Sequence, residues 1–175
     1  MSITVAKSAG FCFGVNRAIN IVNSLLDKNV KVSTLGPIIH NMEVVNELES
    51  RGCKAVDNID EVEKDATLVI RSHGVPKYVI DKLDENGVKY EDATCPFVKK
   101  IHNIVANPDN KDGIVLIAGN SVHPEVEGII GHCSTECHTF KNSEEIDEIY
   151  NNILKKNNKQ VFVVAQTTFD TKEWK

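Results

Sequence analysis

The sequence has no long apolar run and no excess of positive charge. No stretch approaches the ~18 apolar residues that a membrane-spanning helix needs, and the amino terminus lacks a basic region followed by an apolar segment. The 20 basic and 25 acidic residues leave a formal net charge of -5, which argues against the broad basic surface of nucleic-acid-binding proteins. These absences predict a cytoplasmic protein that binds neither a membrane nor a nucleic acid.

Linkers rich in Gly, Pro or Ser are also absent, so no composition shift marks a domain boundary. At 175 residues, 41% of them hydrophobic, the chain is long enough to build one or two cores of its own. The cysteines are odd in number and are Cys12, Cys53, Cys95, Cys133 and Cys137. In a reducing compartment we expect these thiols to serve metal or thiol chemistry rather than disulfide bonds.

Short β-rich runs alternate with helical patterns from one end of the chain to the other. The predicted strands are 3–6, 30–33, 67–70, 88–90, 114–117 and 161–164. Apolar residues at helical spacing predict amphipathic helices within 15–26, 44–48 and 146–154, and a further helix is predicted at 169–175. This alternation predicts an α/β fold of mostly parallel sheets covered by helices. We expect two lobes, residues 1–94 and 95–175, because a new helix begins at Cys95 and Pro96.

Three loops share one design, with a small residue and one histidine between a predicted strand and a predicted helix. They carry His40, His73 and His123. In open α/β sheets, ligands bind at the carboxyl ends of the strands, where helix amino termini favour anions. Any one of these histidines is explained by capping a helix, but three at equivalent positions, together with the hydroxyl of Thr167, predict a site for a small diphosphate.

Two cysteines are predicted at the same carboxyl ends of the strands as these histidines. Cys12 is flanked by Gly10 and Gly14, and Cys95 precedes Pro96, so both stand at predicted helix starts, where the local field stabilises a thiolate. Such positions suit the ligands of an iron–sulfur cluster. Their spacing is not a metal motif by itself, and buried structural thiols are the alternative.

Glu125 is the candidate proton donor of the predicted site, because it lies in the first turn of the helix that follows His123. Its alternative role is to complement the helix dipole, which is the role expected of Glu127.

Three further features are predicted to be structural. The segment 132–138 holds two cysteines and two histidines but lacks the separate second pair of ligands of a structural zinc site. Cys53 is expected to be a buried thiol, and Asn142 is expected to cap a helix.

Together these segments resemble the 4-hydroxy-3-methylbut-2-enyl diphosphate reductase family along essentially the whole chain. The matching segments are 9–15 around Cys12, 36–41 around His40, 71–76 around His73, 93–96 around Cys95, 122–128 around His123 and Glu125, and 166–168 around Thr167. Six motifs in one order make the resemblance specific.

The resemblance implies three α/β lobes, arranged as a trefoil around a central cavity that holds a 4Fe-4S cluster on three cysteines. By resemblance, Cys12 and Cys95 look like two cluster ligands, His40, His73, His123 and Thr167 like substrate contacts, and Glu125 like the catalytic proton donor. The implied reaction removes the hydroxyl of an allylic diphosphate as water and gives isopentenyl and dimethylallyl diphosphates, the isoprenoid precursors. Reduced ferredoxin or flavodoxin is the implied electron donor.

The resemblance stops before the family's third lobe. The sequence ends within the helix predicted after Thr168, so we expect the third cysteine and the third lobe to be missing from this chain, which alone is not the whole enzyme. Cys133 or Cys137 as the third ligand is an alternative, although neither follows a predicted strand. Two other functions stay open, namely a non-enzymatic α/β fragment with residual diphosphate binding and a thiol-dependent transferase with Cys12 as nucleophile.

Overall fold

Parallel strands joined by helices make up both of the units into which the chain divides. The computed structural model describes residues 2–7, 9–106, 112–156, 158–170 and 172–174. The first unit consists of Met1–Ser72 and Lys89–Cys95, and the second consists of His73–Val88 and Pro96–Lys175. Segment 73–88, which lies inside the predicted first lobe, groups with the second unit. The division into lobes at residue 95 stays a prediction.

The first unit is built on a four-stranded parallel sheet in the order β2-β1-β3-β4. Its strands are β1 Val32–Leu35, β2 Cys53–Val56, β3 Thr67–Ile70 and β4 Tyr90–Asp92, and its helices are α1 Phe13–Leu26 and α2 Met42–Ser50. One face of α1 packs on the sheet through Ala18 and Val22, which are fully buried. This packing fixes the start of α1, and with it Cys12, beside the sheet.

The second unit is built on a three-stranded parallel sheet in the order β6-β5-β7. Its strands are β5 Ile114–Ala118, β6 Glu136–Phe140 and β7 Val161–Ala165, and its helices are α3 Lys77–Glu85, α4 Pro96–Ala106, α5 Pro124–His132 and α6 Ser143–Asn152. Alternate residues of the central strand β5 face opposite sides. Val115 and Ile117 join one apolar cluster, which includes residues of α4 and α5, and Leu116 joins another, against α6.

The predicted α/β class with parallel sheets is confirmed by every strand pair of the two sheets. The predicted cap of α6 is confirmed as well, because the Asn142 side chain accepts a hydrogen bond from the Glu145 N–H group at 3.0 Å. Strands β2 and β6 were not predicted.

Two predicted elements are wrong. Residues 3–6 form no strand, because a strand needs a neighbour for its backbone groups and no described strand pairs with them. Ile3 is 88% exposed and Val5 is 73% exposed. The described residues of 169–175 form turns rather than a helix, since so short a segment does not sustain a helix alone. Phe169 instead packs edge-on against Phe140, with ring centroids 6.3 Å apart.

Within the part of the chain that the structure describes, no helix is both long and apolar enough to cross a membrane.

Candidate functional site

In the first unit, the two cysteines of the predicted site lie near the start of α1. Cys12 is the exposed N-cap residue of α1. Cys95 follows β4, and its backbone N–H group donates to the Ser72 carbonyl at 2.9 Å. A Cβ atom built on Gly14 would lie 2.6 Å from the Cys95 Sγ atom. Only glycine therefore lets the Cys95 thiol lie against the first turn of α1, close to its N-cap Cys12.

Arg17 holds the segment that leads to Cys95, a role that sequence reasoning missed. Its guanidinium group donates to the Asp92 carbonyl at 3.1 Å and to the Thr94 carbonyl at 3.3 Å. The Asp92 carboxylate accepts from the Thr94 N–H group at 2.9 Å. The sequence carries no signal for this role, because the acceptors of Arg17 are backbone carbonyls more than 70 residues away.

His40 is exposed at the end of the loop that follows β1. The two preceding residues, Ile38 and Ile39, are buried in the core at 2% and 4% exposure, and the following residue, Asn41, caps α2 through a hydrogen bond from the Val44 N–H group at 3.1 Å. The loop is thus anchored on both sides of His40, which is itself an exposed residue.

In the second unit, His73 and His123 come together. Their rings meet edge to face with centroids 5.5 Å apart. His123 is the N-cap residue of α5, and its Nδ1 atom accepts a hydrogen bond from the Glu125 N–H group at 3.1 Å. Because Nδ1 accepts, this hydrogen-bond pattern assigns the ring proton to Nε2, which is then a donor.

Glu125 and Thr167 form the most closely bonded pair among the predicted residues. Glu125 is 3% exposed. Its Oε1 atom accepts from the Thr167 N–H group at 2.6 Å, and its Oε2 atom accepts from the Thr167 hydroxyl at 2.8 Å. The end of β7 is thereby joined to the first turn of α5.

Gln166 supports this pair and was part of a predicted motif without a predicted role. It is buried, its amide donates to the Thr168 hydroxyl at 2.9 Å, and its carbonyl oxygen accepts from the Asn120 N–H group at 3.4 Å. These bonds fix the loops that follow β7 and β5.

The remaining cysteines lie elsewhere. Cys53 is a buried residue of β2, and burial raises the pKa of its thiol to about 11, which agrees with the structural thiol that was predicted. Cys133 lies at the end of α5 and Cys137 lies inside β6. Neither occupies the carboxyl end of a strand.

Comparison with known proteins identifies the family. The sequence profile of the family described as LytB protein matches residues 3–175. A protein named 4-hydroxy-3-methylbut-2-enyl diphosphate reductase from Clostridioides difficile (strain 630) is 40% identical over 171 residues, which are 97% of this chain and 60% of the relative. A protein of the same name from Alkaliphilus oremlandii (strain OhILAs) is 42% identical over 175 residues, with 98% of this chain and 60% of the relative covered.

Two solved structures have the same fold over almost all of this chain. One is the structure of (E)-4-hydroxy-3-methyl-but-2-enyl diphosphate reductase, described as the terminal enzyme of the non-mevalonate pathway. It superposes with a TM-score of 0.82 at 36% sequence identity, and the superposition covers 98% of this chain and 60% of the solved chain. The other is the structure of the E-1-hydroxy-2-methyl-but-2-enyl-4-diphosphate reductase from Plasmodium falciparum. It gives a TM-score of 0.85 at 29% sequence identity, and the superposition covers 96% of this chain and 52% of the solved chain. The chain spans about 60% of the length of the curated relatives it matches. Because the family profile covers nearly all of its residues, this chain belongs to the LytB protein family.

Proposed function

We propose that this chain is the part of a 4-hydroxy-3-methylbut-2-enyl diphosphate reductase that supplies two cluster ligands, diphosphate contacts and the proton donor. The reaction uses two electrons and two protons to remove the substrate's hydroxyl as water, and it gives isopentenyl and dimethylallyl diphosphates. Similarity to such reductases over 96–98% of the chain carries the proposal. Since the relatives are longer, the activity is proposed for a polypeptide of their length.

Cys12 and Cys95 fit the role of two thiolate ligands of an iron–sulfur cluster. Thiolates are the usual ligands of such clusters. Cys12 stands at the start of α1, and the missing Cβ of Gly14 leaves space for the Cys95 thiol beside the first turn of this helix. When bound, a 4Fe-4S cluster supplies electrons and an iron that binds the substrate's hydroxyl oxygen as a Lewis acid.

His40, His73 and His123 are the proposed contacts of the diphosphate. The exposed position of His40 and the Nε2 donor of His123 support this role. A hydrogen bond to a charged phosphate contributes about 1.5–3 kcal/mol, so three of them hold a small anion without an arginine. His73 contacts His123 edge-on and therefore also fixes the orientation of that ring.

Glu125 is the proposed source of the proton that the leaving hydroxyl requires. The Thr167 hydroxyl donates to the Glu125 carboxylate. When that carboxyl is protonated, it donates to the Thr167 oxygen instead, and the Thr167 hydrogen becomes available to the substrate. Thr167 can thus pass a proton from a buried acid to the leaving oxygen, which takes it up and departs as water.

The electrons are proposed to come from reduced ferredoxin or flavodoxin in the cytosol. The alternatives are a non-enzymatic fragment that binds a diphosphate and a thiol-dependent transferase that uses Cys12.

The proposal is tested with a longer polypeptide that contains this sequence and has the full length of the relatives. This full-length polypeptide is purified without oxygen. We expect it to contain iron and sulfide, to absorb in the visible range, and to convert the allylic diphosphate into both products when a reduced donor is present. Cys12→Ser and Cys95→Ser should each lose most of the iron and the turnover. Cys53→Ala is the matched control, because Cys53 is a buried thiol of β2. The polypeptide with this substitution should contain as much iron as the parent.

A full-length polypeptide that binds no iron and forms neither product would refute the reductase function. In that case, loss of a transferase activity on alkylation of Cys12 would support the thiol-dependent alternative. Perturbation of histidine resonances by millimolar pyrophosphate, with neither activity, would support the binding fragment.

A further inference from the structure

Two thiols of the second unit, Cys133 and Cys137, lie in one apolar cluster away from the proposed catalytic residues. Cys133 is the residue that ends α5. Cys137 is the second residue of β6 and lies opposite Val115 of β5. Both are half-buried and both pack against the cluster that contains Val115 and Ile129. The side chain of Cys137 therefore lies on the face of the sheet on which α5 packs.

The segment between the two thiols is short and tied down. Both the N–H group and the hydroxyl of Ser134 donate to the Val105 carbonyl at the end of α4, at 3.2 Å and 3.4 Å. Because only three residues separate the cysteines and the segment between them is anchored to α4, the two cysteines stay near each other in the folded unit.

The two thiols interact directly and unequally. The hydrogen bond from the Cys133 thiol lowers the pKa of Cys137 to about 7, and the same interaction, together with burial, raises the pKa of Cys133. The Cys133 Sγ atom also lies 3.4 Å from the Ile129 carbonyl, an acceptor for its proton while Cys137 is neutral. Cys137 is therefore the more readily ionised of the two thiols, and the thiolate is the nucleophilic form.

A metal does not explain the pair. His138 follows Cys137 in the strand, so its side chain points to the opposite face, where its Nε2 atom lies 3.0 Å from a Glu136 oxygen. His132 donates to the Val75 carbonyl at 3.1 Å and stacks on His102 at a centroid distance of 4.1 Å. Among the described residues, neither cysteine belongs to a group of three residues that could share a metal ion.

We propose that Cys133 and Cys137 form a reversible intramolecular disulfide, a redox-modification site at the opposite end of α5 from Glu125. This inference does not depend on the proposed reductase function.

The reaction requires an oxidant, and a low-molecular-weight disulfide such as oxidised glutathione is sufficient. The Cys137 thiolate attacks one sulfur of that disulfide; a protein–glutathione S–S bond forms, the glutathione S–S bond breaks, and one glutathione thiolate leaves. The Cys133 sulfur then attacks the Cys137 sulfur of the mixed disulfide, and the second glutathione leaves with the Cys133 proton. Two protein thiols are oxidised and one glutathione disulfide is reduced to two thiols.

The chain itself permits a direct test. Cleavage after lysine releases residues 112–141 as one peptide, and this peptide contains Cys133 and Cys137 and no other cysteine. The folded chain is incubated with oxidised glutathione and a chelator, and the remaining thiols are then blocked with an alkylating agent. After cleavage, the mass of peptide 112–141 is measured by mass spectrometry. We expect it to be two hydrogens lighter than the reduced peptide and free of alkyl groups, and dithiothreitol should restore two alkylation sites.

Single variants distinguish the two sulfur atoms. Cys133→Ser should stop at the mixed disulfide of Cys137 with glutathione, whereas Cys137→Ser should leave Cys133 largely unmodified. The initial oxidation rate of the parent chain should rise between pH 6 and pH 7, because the fraction of Cys137 that is ionised rises with pH. Cys53, whose thiol is buried, should stay reduced in the folded chain and serves as the control for unfolding.

Retention of two alkylation sites in peptide 112–141, under conditions that oxidise a dithiol peptide of the same sequence, would overturn the proposal. So would equal reactivity of the two single variants.

Discussion

Both carboxylate oxygens of Glu125 are held by a single residue, Thr167, which donates its backbone N–H and its hydroxyl. The two residues are 42 positions apart in the chain, so this pairing exists only in the folded second unit. A buried carboxylate needs such partners, because an unpaired charge away from water is costly. One of the two donors, the Thr167 hydroxyl, can reverse its direction when the carboxyl is protonated, and this is the property that a proton-donating pair requires.

Glu125→Gln tests this role in the full-length polypeptide. Glutamine keeps the shape of the side chain and one acceptor oxygen but cannot supply a proton. We expect iron content and substrate binding to stay close to those of the parent and turnover to fall by about 10²–10⁴-fold, the range of general acid catalysis. The matched control is Glu127→Gln, an exposed position on the same helix, which should keep its turnover. Undiminished turnover of Glu125→Gln would remove Glu125 from catalysis.

At the scale of the element, α5 connects the proposed acid at one end with the cysteine pair at the other. Its second half packs very closely against the loop that precedes α3. A Cβ atom built on Gly131 would lie 2.3 Å from the Pro76 Cβ atom and 2.7 Å from its Cα atom. Because the Pro76 Cα atom belongs to the backbone, rotation of a side chain cannot relieve this clash.

Gly131→Ala should therefore destabilise the second unit. Overpacking typically costs about 1–3 kcal/mol, and this cost exceeds the gain of about 1 kcal/mol that alanine brings to an open helix position. The free energy of unfolding, measured by circular dichroism in urea, should fall. An increase of about 1 kcal/mol would mean that helix propensity dominates and that α5 does not approach Pro76 so closely.

Which strands the sequence predicts depends on whether each one carries a continuous apolar run. Strand β3, buried on both faces, agrees with its predicted bounds of 67–70, and β5 differs by one residue. Strands β2 and β6 were missed because polar residues interrupt their apolar ones, so neither has a continuous apolar run. Residues 3–6 have such a pattern but lack a described neighbour, which a local pattern cannot reveal.

For the site residues, the sequence predicts the positions of loops but not the contacts between distant segments. The loops of His40 and His123 lie between strand and helix as predicted, since parallel α/β topology dictates the position of such loops. The hydrogen bonds of Arg17 to the Asp92 and Thr94 carbonyls were not predictable. They join segments that are distant in sequence, and their acceptors are backbone atoms that every residue type carries. The roles of the predicted residues stay predictions.

At the scale of the whole molecule, we propose that the residues of this chain supply two of the ligands of the cluster. The chain covers about 60% of its curated relatives, and Cys12 and Cys95 are two of the three thiolates that the family resemblance implies. With two thiolates the cluster would be weakly held and open to oxygen. After anaerobic reconstitution, we expect the 175-residue chain to retain clearly less iron and sulfide than the full-length polypeptide, and to lose it faster in air. Equal iron content at both lengths would place the third ligand within these residues, with Cys133 and Cys137 as the first candidates. In that case Cys133→Ala or Cys137→Ala would release iron from the short chain, and the two thiols would serve the cluster instead of pairing with each other.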